Sequence, residues 1–124
     1  MNIYYVVAFV TPTQSKKHLA KHIDFLKNSS TVDKAYFVFN SGDVDEWASL
    51  VDEAELMQKV TVVVTDAKIQ QYAWERALQS ITDKQPIFLV GSGNVPTSDN
   101  WYEPYFKNLH HRTAYVYNGA DDPQ

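Results

Sequence analysis

Several groups of residues in this 124-residue chain have the types and spacing that chemistry uses. His18 and His22 stand four apart, so on a helix both imidazoles share one face, as two metal ligands do. Leu19 occupies the position where a metalloprotease helix carries glutamate, and Lys16, Lys17 and Lys21 would repel a cation. No metal is therefore assigned, and the pair reads as a solvated helix boundary. Glu75 is a lone carboxylate on a helical stretch near a strand end. That placement suits a nucleophile, while the neighbouring Arg76 suits a plain surface charge. Gly91, Ser92 and Gly93 make a turn whose backbone N–H groups can approach a phosphate. The turn lacks the Gly-Lys-Ser/Thr of a phosphate loop and the third glycine of a dinucleotide fingerprint, and Pro96 follows it. Asp43, Asp45 and Glu46 gather where a helix begins, and His110 and His111 where one ends; both placements complement a helix dipole.

Hydrophobic patterning supplies the frame that must position these groups. Residues 3–10 form a continuous apolar run rich in β-branched and aromatic side chains, which reads as a strand buried on both faces. Helical spacing of Leu19, Ile23 and Leu26 predicts a helix over 15–27, with Ser15 as N-cap. Strands are predicted at 35–39, 60–64, 86–90 and 113–117. Helices are predicted at 45–55, with Trp47, Leu50, Val51 and Ala54 inward, and at 68–81. The latter carries Ile69, Tyr72, Ala73, Ala77, Leu78 and Ile81. A short helix is expected at 101–109 and a polar tail at 118–124. This alternation predicts one three-layer α/β/α domain over residues 1–124, with a mainly parallel sheet and right-handed crossovers. The expected core is Val6, Ala8, Val10, Leu19, Ile23, Phe37, Val62, Val64, Leu78, Phe88 and Val90.

Composition narrows the function. Hydrophobic residues make up 44% and charged residues 21%, which suits an ordinary globular domain. The net charge of −4 disfavours gripping a nucleic-acid backbone. No apolar run approaches a membrane span, and residues 1–3 lack a basic signal-peptide start. The chain has no cysteine, hence no disulfide, thiolate nucleophile or cysteine-zinc site. A cytoplasmic location is expected, or a virion-associated one for a viral protein.

In a parallel sheet, ligands bind beyond the carboxyl ends of the strands. Here those ends are Thr11, Pro12 and Thr13, then Asn40, Ser41, Gly42 and Asp43, then Thr65, Asp66 and Ala67, and lastly Gly91, Ser92, Gly93 and Asn94. All are small and polar. They suit a nucleotide or sugar, and equally the turns that any strand-to-helix connection requires.

The order of the pieces resembles the nucleotide-sugar half of an A-type glycosyltransferase of the family 2 kind. The first run, its turn at Pro12 and the Leu19, Ile23, Leu26 helix resemble that family's opening. The segment 39–46 is similar to the family's Val-Asp-Asp-Gly-Ser-Thr-Asp-Glu, with Gly42 and Asp45 matching and Asn40 and Ser41 in place of two carboxylates. Ala73 retains the alanine of an Ala-Arg-Asn motif. Gly91 follows it by 18 residues, at the position of the family's Asp-X-Asp turn, with Pro96 and Trp101 beyond.

The resemblance implies a nucleotide contacted by Thr11, Pro12, Thr13, Asn40, Ser41, Asp43, Asp66, Gly91, Ser92 and Gly93. The family's divalent metal is held by the Asp-X-Asp pair, and both positions are glycine here, so no metal or other cofactor is expected. The family's acceptor-binding half, which brings the catalytic base, normally follows, whereas this sequence ends at Gln124. The expectation is a reduced glycosyltransferase-like domain that binds a nucleotide or nucleotide-sugar, or serves as an accessory scaffold, without efficient catalysis.

Two alternatives stand beside it. Ala73, Trp74, Glu75, Arg76 and Ala77, followed by Lys84, Gln85 and Pro86, are similar to nucleoside deoxyribosyltransferases and related NAD-cleaving domains, which implies Glu75 as the catalytic residue. The other is a non-enzymatic interaction module of a virus or mobile element. Its contact with a protein partner or a second copy would use Trp101, Tyr102, Tyr105 and Phe106, unless these pack inward.

Overall fold

Continuous apolar runs need cover on both faces, and strands built from them belong inside a parallel sheet. The computed structural model describes residues 3–10, 16–82, 85–108 and 114–117. Its strands are β1 (Ile3–Phe9), β2 (Val32–Asn40), β3 (Val60–Thr65), β4 (Ile87–Val90) and β5 (Ala114–Tyr117). They form one sheet in the order β3-β2-β1-β4-β5, and every pairing is parallel. The helices are α1 (Lys16–Asn28), α2 (Val44–Glu53) and α3 (Gln70–Leu78), with a short 3-10 helix over Glu103–Asn108. The expected α/β/α class holds. Ser15, His110, His111 and the tail 118–124 lie outside the described residues.

Strand alternation divides the core in two. Ile3, Tyr5, Val7 and Phe9 of β1 face α1 and α2, meeting Leu19, Ile23 and Leu26 of α1 and Trp47 and Val51 of α2. Tyr4, Val6, Ala8 and Val10 face α3 through Ala73, Trp74 and Ala77. Aromatic packing dominates the first layer. Phe88 and Trp101 lie edge to face at 4.7 Å between centroids, and Tyr5 meets Trp101 in the same manner at 5.8 Å. Trp101 is fully buried, and Tyr102 and Tyr105 pack against the core, so the late aromatics with described side chains go inward.

Three expectations need correction. First, α3 is rotated from the expected face. Ile69 and Tyr72 are 52% and 61% exposed, while Trp74, absent from the expected stripe, is buried and donates Nε1–H to the Val90 carbonyl at 3.2 Å. The indole satisfies a donor and fills a large volume at one position, which a small Ala73, Ala77 stripe alone does not. Second, Val64 is 42% exposed, and Val62 and Leu78 are only partly buried. β3 is an edge strand, and at its carboxyl end nothing described covers Val64. Third, the crossovers do not all share one hand. α1 and α2 lie on one face for steps in one direction, and α3 lies on the other face for the step back across the sheet, which is the same hand. The connection from β4 to β5 steps outward again, yet Trp101, Tyr102 and Tyr105 place it on the α1 face. Over residues 91–108 this connection therefore has the opposite hand. The right-handed rule arises from packing a helix on a twisted sheet, and this segment has no α-helix to impose it.

Candidate functional site

Because all strands run the same way, their carboxyl ends form one row. Along it stand Thr65 and Asp66 (β3), Asn40 and Ser41 (β2), Val10 (β1) and Gly91 (β4), three interstrand spacings or about 14 Å in all. The row is stitched by hydrogen bonds. Ser41 Oγ donates to Asp66 Oδ1 at 2.7 Å, and Asn40 Nδ2 donates to the Val10 carbonyl at 3.4 Å. Asp43 flanks the row at the N-cap of α2 without a side-chain cap bond. The sheet thus brings Asn40, Ser41 and Asp66 together, while Gly91, Ser92 and Gly93 lie across β1 from them. Thr11, Pro12 and Thr13, expected between the two groups, fall outside the described residues.

The β4 turn is held from below by a residue that the sequence reading misplaced. His22 is fully buried, not at a solvated boundary. Its Nε2 lies 2.9 Å from the Ser92 carbonyl and its Nδ1 2.6 Å from the Tyr5 hydroxyl. A carbonyl only accepts, so Nε2 carries the proton and Nδ1 accepts from tyrosine. Burial pushes the His22 pKa down to about 4; bonds to the Ser92 and Gly91 backbone oppose the shift and the His18 charge adds to it. The ring is neutral near pH 7, in agreement with the tautomer. Both nitrogens are engaged inside the protein, which leaves His22 no lone pair for an ion. The sequence signal was its place three residues past Leu19 and four before Leu26, on the buried stripe of α1.

Beside the row lies a groove of about 650 Å³ that the sequence did not reveal. One wall is α1, through His18, Lys21, Phe25 and Asn28, and the other is the segment 93–99 descending from β4. It exists because the β4–β5 connection runs down the same face as α1. Among the described residues expected at the site, only Gly93 lines it.

Asp99 lines the groove at the far end of segment 93–99. Its carboxylate accepts from Ser29 Oγ at 2.7 Å, Ser30 N at 3.0 Å, Ser30 Oγ at 2.7 Å and Thr31 Oγ1 at 3.0 Å. Burial alone would raise this carboxyl, but the bonds from Ser29, Ser30 and Thr31 outweigh it and hold the pKa at about 2. Nearby, Lys59 Nζ donates to the Leu26 and Ser29 carbonyls at 3.0 and 2.9 Å, satisfying acceptors at the end of α1. Desolvation lowers its pKa, against the opposing charges of Asp99 and Asp33.

Glu75 projects to solvent from α3, whose inward residues are Ala73, Trp74 and Ala77. Among the described residues no cluster of three or more His, Asp or Glu has the arrangement to hold a metal ion, and no helix is long and apolar enough to cross a membrane. Comparison with protein-family models, with curated proteins and with solved structures found no match.

Proposed function

We propose that this chain is a ligand-binding domain that takes a nucleotide or nucleotide-sugar along the carboxyl edge of its sheet. On this reading it acts as a binding or scaffold unit without efficient glycosyl transfer. The observation that carries the proposal is the row itself: neutral Asn40 and Ser41 on one side of β1, and the Gly91, Ser92, Gly93 backbone on the other, where the strand order reverses. Gly91 and Gly93 bring no side chain of their own to a diphosphate, Gln70 and Asn94 lie against Gly91, and His22 keeps the turn in place. Asn40, Ser41, Gly91 and Gly93 cannot supply the charge that stabilises a leaving diphosphate. Contributions of that kind are worth ~3–4 kcal/mol per group.

Chemical-shift mapping with UDP tests the reading. We expect perturbations at the amides of Asn40, Ser41, Gly91 and Gly93 at millimolar ligand. Shifts clustered elsewhere, or none, would overturn it. UDP-sugar hydrolysis or transfer assayed with and without manganese should stay at background, and strong metal-dependent turnover would overturn the non-catalytic part.

A further inference from the structure

The groove between α1 and segment 93–99 has its own chemistry and shares only Gly93 with the described residues of the strand-end row. Lys21 and Asp24 stand three apart on α1 and so share a helix face. Both line the groove, both are exposed, and among the described residues neither forms an ion pair. Phe25 also lines the groove, half-buried, its ring held against Tyr5 and Trp101 at 5.8 and 6.1 Å. Val95 and Pro96 add apolar surface from the opposite wall. Asn28 donates to the Asp24 carbonyl at 2.9 Å, which fixes its amide at the groove's lower part. The other acid in the lining, Asp99, has both oxygens occupied by Ser29, Ser30 and Thr31.

Among its described residues the groove thus offers the Lys21 ammonium, the Asp24 carboxylate, the His18 imidazole and an apolar wall. A diphosphate would meet Asp24 with like charge, and an uncharged ring compound would use neither charge. A zwitterion uses both. We infer that this groove binds a free α-amino acid with an apolar side chain, its carboxylate on Lys21, its ammonium on Asp24 and its side chain against Phe25, Val95 and Pro96. The volume lies within the range of small-molecule sites.

Titration of the full chain with L-phenylalanine, followed by ¹H–¹⁵N spectra, is the test. Shifts should cluster at Lys21, Asp24, Phe25, Asn28 and Val95. 3-Phenylpropionate, lacking the ammonium, and phenethylamine, lacking the carboxylate, should each bind about fivefold more weakly, as expected for loss of a partly exposed ion pair. Lys21→Ala should abolish the preference for phenylalanine over phenethylamine, and Asp24→Ala the preference over 3-phenylpropionate. Both positions are exposed, so spectra elsewhere should be unchanged. Equal binding of the three compounds, or shifts outside the groove, would overturn the inference. UDP added to the same sample separates the two readings. UDP shifts on the row without phenylalanine in the groove would defeat this inference alone. Phenylalanine in the groove without UDP on the row would defeat the nucleotide reading alone.

Discussion

The Tyr5 hydroxyl donates to Nδ1 of His22 across 2.6 Å, and both residues are fully buried, one on the central strand and one on α1. Through its other nitrogen His22 reaches the Ser92 carbonyl, 70 residues away in sequence. One neutral imidazole therefore ties the first strand, the first helix and the turn after β4. A buried polar chain of this kind stabilises only while every member keeps its partner.

Tyr5→Phe removes the donor and leaves Nδ1 of His22 buried without one. The expected loss of stability is about 1–3 kcal/mol, measured by urea unfolding near pH 7. A change below about 0.5 kcal/mol would show that the bond contributes nothing net.

His22 should also give the protein an acid-sensitive limb. An ordinary imidazole titrates at 6.5, whereas His22 is held to about 4. Between these values the unfolded chain binds the proton and the folded one resists it. Stability is therefore complete above 6.5 and declines as pH falls toward 4, by about 3 kcal/mol. Unfolding midpoints measured from pH 7.5 to 4 should show the decline. An NMR titration of the His22 ring giving a pKa near 6.5 would contradict it.

Asp99→Ala should release segment 93–99 from Ser29, Ser30 and Thr31. We expect a loss of about 1–2 kcal/mol, discounted for partial exposure, and faster amide hydrogen exchange at Ser30. Its pKa, lowered from 3.8 to about 2, places its pH dependence in a separate window. The contribution is present above 3.8 and lost as pH falls through about 2, below the range where His22 acts. Asp99→Ala should flatten that lower limb and leave the upper one unchanged.

Adjacent valines of β3 should respond differently to the same change. Val63 is 6% exposed and faces α3, whereas Val64 is 42% exposed. Val63→Thr buries a hydroxyl and should cost about 1–3 kcal/mol. Val64→Thr should stay within about 0.5 kcal/mol. Thermal or urea unfolding of the pair checks this, and equal losses would refute the facing assigned to β3.

The elements and their class follow from local pattern alone. Residues 3–9 are apolar at every position, and only a strand covered on both faces needs that. Leu19, Ile23 and Leu26 mark a buried helical stripe, and the alternation of such segments implies a parallel sheet. Local pattern also shows which turns are small and polar, hence the row at the strand ends. It does not show which of two plausible stripes a helix buries. On α3 Ile69 and Tyr72 are as apolar as Trp74, and the choice fell to Trp74 because its indole N–H reaches the Val90 carbonyl. Nor does it show polar partners separated by much of the chain. Asp99 meets Ser29 and Ser30, and His22 meets Ser92, only after the strand order sets β4 beside β1. The groove was beyond sequence reasoning for the same reason. It depends on the face taken by the β4–β5 connection, and where no α-helix imposes the usual hand, burial of Trp101 against Phe88 and Tyr5 decided it.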